Sequence, residues 1–191
     1  IENGGTIPPI YNSFIYDLKY CNNWLKNIYK HMTNDSEKIV EQCFAEHKPL
    51  SFEILDIDYF KQYNDRYGHQ AGDDCVRAIA ALIRQMESDQ IFCARYGGDE
   101  FVIIYSGMSA EEVCERAEKL RQDVMALQIE QRYTEGAFGV TISQGICHDI
   151  PSNGNKNWDF LHIADQTLYR AKRGGKNCLC MTDIHGREIE V

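Results

Sequence analysis

With 191 residues, 43% of them apolar and 26% charged, the chain has the size and composition of one globular domain of roughly 100 to 200 residues, too short for two catalytic domains. Its 20 Lys and Arg against 29 Asp and Glu give a formal charge of −9, which repels nucleic-acid phosphate. The longest uncharged apolar run, Ala78 to Ile83, falls far short of the ~18 residues a bilayer span needs, and no basic-then-apolar leader opens the sequence, so neither nucleic-acid binding nor membrane insertion is expected.

Along the chain, Phe14, Leu18, Cys21, Leu25, Ile28 and Met32 recur in steps of four and three, which predicts an amphipathic helix over residues 12–32. A second helix uses Ile39, Val40, Cys43 and Phe44, with Asn34, Asp35 and Ser36 as candidate N-caps and Lys48-Pro49 as its stop. Both helices suit either a packed core or a stalk that assists dimerisation, so residues 1–49 are set apart as an N-terminal helical segment from a domain over residues 50–191. Ser51 to Asp58 alternates around Phe52, Ile54 and Ile57 as a strand does. Cys75, Val76, Ile79, Leu82, Ile83 and Met86 predict a helix from about Asp73 to Glu87. Ile91 to Arg95 and Phe101 to Tyr105 are short β-rich runs around Tyr96-Gly97-Gly98-Asp99-Glu100, a hairpin signal in which the glycines are expected to take positive φ. A helix through Val113, Ala117, Leu120, Val124 and Leu127, a strand over Val140 to Cys147, and a loop over Asp149 to Asn157 come next. A helix through Trp158, Leu161, Ala164, Leu168 and Ala171 then ends at Gly174-Gly175, and Cys178 to Met181 forms the last strand. A tight hairpin forces antiparallel pairing, so the sheet is mixed and a purely parallel doubly wound fold is excluded.

The eight cysteines are scattered singly through apolar patterns without a Cys-x-x-Cys pair, which argues against zinc and against a disulfide framework. Free thiols used as small hydrophobes imply a reducing, cytoplasmic setting, and a chain that opens on Ile1 is expected to be a piece of something longer, such as the cytosolic part of a larger protein.

Acidic residues crowd the strand ends. Asp56 and Asp58 end an apolar strand, where a carboxylate is costly to bury without a cation, although each also suits a turn cap. Asp99 and Glu100 stand at the hairpin, and if it lies beside the Asp56 strand, oxygens from both elements converge on a hard-cation site of the kind Mg²⁺ prefers. Backbone amides after Asp58, with Lys61, suit phosphate. Asp73 alone reads as an N-cap, Asn64 as a turn residue, and His69, between two glycines, as a turn or core histidine, since no second histidine lies at metal spacing. Lys172, Arg173 and Lys176 around Gly174-Gly175 complement a helix C-terminus or bind phosphate.

Leu55-Asp56-Ile57-Asp58-Tyr59-Phe60-Lys61, Asn64-Asp65, Gly68-His69, Gly72-Asp73 and Arg95-Tyr96-Gly97-Gly98-Asp99-Glu100-Phe101 together resemble the GGDEF family of diguanylate cyclases. Ala164-Asp165, Leu168-Tyr169-Arg170-Ala171-Lys172 and Gly175-Lys176-Asn177 extend the match, which covers about Leu50 to Met181. The resemblance implies a palm-like α+β domain (α/β in the broad sense) with a mixed, mainly antiparallel sheet. It also implies an enzyme that condenses two GTP into cyclic di-GMP, releases pyrophosphate and works as a homodimer, with an upstream sensor domain as a further partner. By the same resemblance, Asp56, the Ile57 carbonyl and Asp99 hold Mg²⁺, with Mn²⁺ as the alternative, and Glu100 stands near the attacking hydroxyl. Asn64 and Asp73 match the guanine-reading pair, and Phe60, Lys61, Lys172 and Lys176 match positions that hold the triphosphate. The contrasting reading is a catalytically silent GTP-binding or dimerisation module.

Three departures stand out. Gly5-Thr6-Ile7-Pro8-Pro9-Ile10-Tyr11-Asn12-Ser13 keeps only the Asn of the family's usual opening, and Lys176 stands where Arg is common. Ser88-Asp89-Gln90-Ile91 replaces the Arg-x-x-Asp of the family's inhibitory product site.

Overall fold

The computed structural model describes residues 36–130 and 139–190. The helix expected over 12–32 lies outside them. Five strands form one sheet in the order β2-β3-β1-β4-β5. They are β1 (Leu50–Ile57), β2 (Ile91–Arg95), β3 (Glu100–Ser106), β4 (Ile142–Asp149) and β5 (Leu179–Thr182). All pairings are antiparallel except β4 with β5, so the sheet is mixed and mainly antiparallel, as the hairpin requires. Among the described residues five helices flank it: α1 (36–46), α2 (Phe60–Tyr67), α3 (His69–Arg84), α4 (Ala110–Ala126) and α5 (Asn157–Arg173). This is the palm-like α+β architecture.

The period of two along the strands sorts the core into two layers. Leu55 and Ile57 of β1 join Phe101 and Ile103 of β3 in a cluster covered by α3 and α4 through Val76, Ile79, Ile83, Val113, Leu120 and Val124. Phe52 and Ile54 join Val102 and Ile104 on the opposite face, covered by Val40 and Cys43 of α1 and by Phe160, Leu161, Ala164 and Leu168 of α5. Each fully buried Leu, Ile or Phe of this kind stabilises by ~1.5–3 kcal/mol. The second predicted helix therefore packs into the core, where Asn157 Nδ2 also donates to Ser36 Oγ at 2.9 Å. Helix α5 sits so close to β4 that a methyl group at Gly145 would lie 2.0 Å from the Leu168 amide nitrogen. That position has room only for glycine.

The sheet centre carries one polar cluster. Glu53, wholly buried in β1, accepts from the Tyr105 hydroxyl at 2.6 Å and from Gln144 Nε2 at 2.7 Å, and that amide also donates to the Ala117 carbonyl at 2.9 Å. Burial pushes the Glu53 carboxyl above the usual range, against the pull of those two donors. The seven cysteines among the described residues are all free, and Cys43, Cys75, Cys93 and Cys147 are buried as apolar side chains.

Candidate active site

The ends of three elements meet at one edge of the sheet. Asp56 of β1 is the register partner of Glu100 of β3, and the Ile57 amide donates to the Asp99 carbonyl at 3.3 Å, so the two acidic motifs lie side by side. Glu100 is thus the first strand residue rather than part of the hairpin tip. Asp56 shares its face of β1 with Phe52 and Ile54, the face that α5 covers, which brings Lys172 near the end of α5 to 2.9 Å from Asp56 Oδ2. Loss of water around Asp56 raises its pKa to about 6; the Lys172 ammonium opposes the rise, and the charges of Asp99 and Glu100 add to it.

Neither glycine of the hairpin adopts positive φ, contrary to the sequence expectation. A Cβ at Gly97 would lie 2.7 Å from Glu100 Oε2, so a side chain there would push the tip of the Glu100 carboxylate aside. The turn is held from outside by Arg95, whose Nε donates to the Gly97 carbonyl at 2.9 Å and whose terminal nitrogen donates to the Gly98 carbonyl. Sequence reasoning missed Arg95, although its place directly before Tyr-Gly-Gly was the available signal.

Asp56 and Asp58, read together as strand-end acids, part company. Asp58 is 1% exposed and accepts from Thr141 Oγ1 and Ser143 Oγ, both at 2.7 Å, and from the Asn177 amide at 3.0 Å. It is a buried hydrogen-bonding hub, leaving Asp56 as the strand-end carboxylate that faces a cation.

Asp73 is not an N-cap. Helix α3 begins at His69 behind Gly68 at φ 86, so Asp73 is its fifth residue and exposed. His69 is exposed too, so it is no core histidine. The preceding helix, α2, was missing from the sequence reading because FKQYNDRY is short and polar, with only Phe60, Tyr63 and Tyr67 to mark one face. The Phe60 and Tyr63 rings stack at 6.4 Å, and Tyr63 meets Tyr67 tilted at 4.9 Å. Tyr59, left-handed at φ 56, turns the chain from β1 into α2. Asn64 Oδ1 is buried without a hydrogen-bond partner, and a Cβ on Gly72 would collide with it at 1.8 Å. Asn64 and Gly72-Asp73 are therefore adjacent across the α2–α3 pair, with an unused acceptor between them. Lys61 is exposed in the first turn of α2.

The three basic residues at and just beyond the end of α5 point to different partners. Lys172 meets Asp56, Arg173 lies 5.9 Å over the Tyr169 ring, and Lys176 Nζ lies 3.6 Å over the Tyr59 ring, near the start of α2.

Among the described residues no three His, Cys, Asp or Glu side chains gather as a metal cluster. A site built from Asp56, Asp99 and the Ile57 carbonyl uses two carboxylates and a backbone oxygen, a donor set that suits a hard divalent ion. The residues fit one in charge as well: Asp56, made basic by lost hydration and by two neighbouring carboxylates, has only an ammonium to offset it.

Residues 28–178 match the family model for "Diguanylate cyclase, GGDEF domain". A diguanylate cyclase of Vibrio cholerae is 36% identical over 141 residues, which is 70% of this chain and 40% of that protein. Diguanylate cyclase DgcP of Pseudomonas aeruginosa is 34% identical over 148 residues, 75% of this chain and 21% of that one. The chain thus spans less than half the length of these relatives. Among solved structures, the GGDEF domain of DgcB from Caulobacter crescentus, crystallised with c-di-GMP, superposes with a TM-score of 0.71 at 30% identity over 82% of this chain and 90% of that one. The active GGEEF domain of a Vibrio cholerae diguanylate cyclase gives 0.68 at 29% identity, over 80% of this chain and 94% of that one.

Proposed function

Because the chain belongs to the GGDEF family of diguanylate cyclases, we propose that it condenses two GTP into cyclic di-GMP with release of two pyrophosphates. In each of two steps a ribose 3′-hydroxyl oxygen bonds to the α-phosphorus of the other nucleotide, the α–β phosphoanhydride breaks, and the hydroxyl proton leaves toward Glu100. Asp56, the Ile57 carbonyl and Asp99 would hold a divalent cation, Mg²⁺ or in its place Mn²⁺. The ion supplies positive charge to the reacting phosphate and to the leaving pyrophosphate. Asn64 and Asp73 read guanine: a carboxylate accepts from its N1–H and exocyclic amine, which adenine cannot offer together, and the unused Asn64 acceptor lies beside Gly72. Phe60, Lys61, Lys172 and Lys176 surround the triphosphate.

One GTP per domain supplies only half of the product, so two copies meet about a two-fold axis, each contributing a hydroxyl and an α-phosphate. Residues 50–191 form the catalytic unit, 1–49 the segment that precedes it and packs α1 into its core, and an upstream sensor domain in a larger cytoplasmic protein sets its activity. The observation that carries this reading is the meeting of Asp56 with Lys172 beside Asp99 and Glu100: a crowded anionic strand end that a single cation from α5 offsets only in part. Incubation with GTP and Mg²⁺ tests it. Cyclic di-GMP and pyrophosphate should appear, at a rate that climbs faster than linearly with protein concentration. GTP binding without product would mark a silent module.

A further inference from the structure

The loop that carries Lys176 is an unfavourable piece of backbone. Gly175, Lys176 and Asn177 follow one another at φ 127, 65 and 48, and two of the three are not glycine. Left-handed conformations at such residues are unfavourable and persist only where surrounding structure fixes them. Here the surrounding structure is specific. The Asn177 amide donates to Asp58 Oδ2 at 3.0 Å, and the Lys176 amide to the Ala171 carbonyl at 3.2 Å. Asn177 Oδ1 and its carbonyl accept from Arg121 of α4 at 2.7 and 3.2 Å, and Arg121 is itself held by Glu118.

Asp58 is the buried end of this chain of contacts. It reaches the loop from the position directly before Tyr59, whose ring carries the Lys176 ammonium. The dipeptide Asp58-Tyr59 therefore grips consecutive loop residues, Asn177 by a backbone hydrogen bond and Lys176 by its side chain. Asp58 also accepts from the Thr141 and Ser143 hydroxyls at the start of β4, and its own amide donates to the Thr141 carbonyl at 2.9 Å. A carboxylate this buried is retained at a desolvation cost, and donors from Thr141, Ser143 and Asn177 fix its orientation.

We infer that Asp58 is a positioning residue for triphosphate recognition: it locks the strained Gly175–Asn177 loop so that Lys176 stands at the start of α2 facing the phosphates. This rests on the assignment of Lys176 to the triphosphate made above. It differs from any role as a metal ligand, because what Asp58 supplies is an acceptor rather than a charge. Asparagine, its amide oxygen turned to Thr141 and Asn177 and its NH₂ to the Ser143 hydroxyl, can supply the same acceptor.

The experiment compares Asp58→Ala, Asp58→Asn, Lys176→Ala and Asp58→Ala with Lys176→Ala, reading affinity for a non-hydrolysable GTP analogue and for guanosine, together with hydrogen exchange at the Asn177 amide. Asp58→Ala should weaken the analogue about tenfold while leaving guanosine unchanged, and the double variant should bind like Lys176→Ala alone. Asp58→Asn should stay within about threefold of the parent, and the Asn177 amide should lose its protection only in the two variants that carry Asp58→Ala. Equal losses for both ligands, additive losses in the double variant, or an Asn variant as weak as Ala would overturn the inference. If Asp58→Ala does not fold, Asp58→Asn decides alone, since a tenfold loss there means that charge and not the acceptor matters. A parent protein that binds no GTP analogue, yet shows Asn177 protection dependent on Asp58, refutes the functional reading while leaving the loop anchor standing.

Discussion

Removing the charge at Asp56 should abolish turnover while making the resting protein more stable. In the folded chain the Asp56 pKa rises from 3.8 to about 6, chiefly because the carboxylate has lost water and despite the Lys172 ammonium at 2.9 Å. At about 1.36 kcal/mol per pH unit that rise corresponds to ~3 kcal/mol of strain in the ionised form. Half of it, ~1.5 kcal/mol, is a fair figure for a partly buried group screened by water. The pH dependence has a definite sign. A carboxyl whose pKa is raised by folding contributes stability below about pH 4, and loses that contribution as the pH climbs through about 6. Asp56→Asn, which never ionises, should match the parent near pH 4 and melt ~3–6 °C higher at pH 8, given ~2–4 °C per kcal/mol for a domain of this size. Divalent cation should raise the melting temperature of the parent and leave the variant unmoved. Product formation should fall at least ~100-fold, the usual cost of removing one charge-stabilising group from a reacting phosphate or acyl centre. A variant that melts below the parent at pH 8, or that retains near-normal cyclic di-GMP synthesis, would refute the reasoning.

Asp73→Ser should relax selection of GTP over ATP, measured by competition, because Ser donates as well as accepts. Since Asp73 is exposed in the body of α3, stability should change by no more than about 0.5 kcal/mol. Glu53→Gln should flatten the loss of stability on raising pH. The buried Glu53 carboxyl, pushed up by desolvation, stabilises the fold below the ordinary carboxylate range and ceases to do so as the pH rises through its raised pKa. Melting curves of parent and variant between pH 4 and 8 should diverge toward the alkaline end, and parallel curves would show that Glu53 does not titrate there.

The sheet was legible because it rests on patterns a single strand carries. Phe52, Ile54 and Ile57 alternate as a half-buried strand must, and the Gly97-Gly98 pair between two β-rich runs announced the antiparallel hairpin. What hid α2 was its reliance on tertiary contact: one aromatic face of Phe60, Tyr63 and Tyr67 against α3 replaces the apolar periodicity a longer helix displays. Missing α2 also shifted the start of α3, and so made Asp73 look like a cap. The site was legible where its residues stand in contiguous motifs, as at Asp56-Ile57 and Asp99-Glu100. It was not legible where a partner comes from far along the chain. Nothing local to Asp58 shows that residues 83, 85 and 119 positions away hold it.

The same logic bears on feedback by the product. A cavity of about 420 Å³ lies between α1 and the start of β2, where Ser88, Asp89, Gln90 and Ile91 take the place of the family's Arg-x-x-Asp. Among the described residues its wall carries the carboxylates of Glu46, Glu87 and Asp89, and the single lysine there, Lys48, is paired with Glu46 at 2.6 Å. Arg84, the nearest preceding cation in sequence, is not part of that wall. Ser88 and Ile91 are instead bonded to each other through both backbone amides, closing a turn that offers no guanidinium. A dianionic dinucleotide entering this hollow would meet net negative charge and no forked donor for its phosphates or guanines. Micromolar cyclic di-GMP should therefore leave the maximal rate unchanged, and any inhibition should be relieved by GTP. Initial rates across a grid of product and GTP concentrations decide the matter: a maximal rate that falls with product and is not restored by saturating GTP would mean that the cavity, acidic wall included, binds the dinucleotide after all.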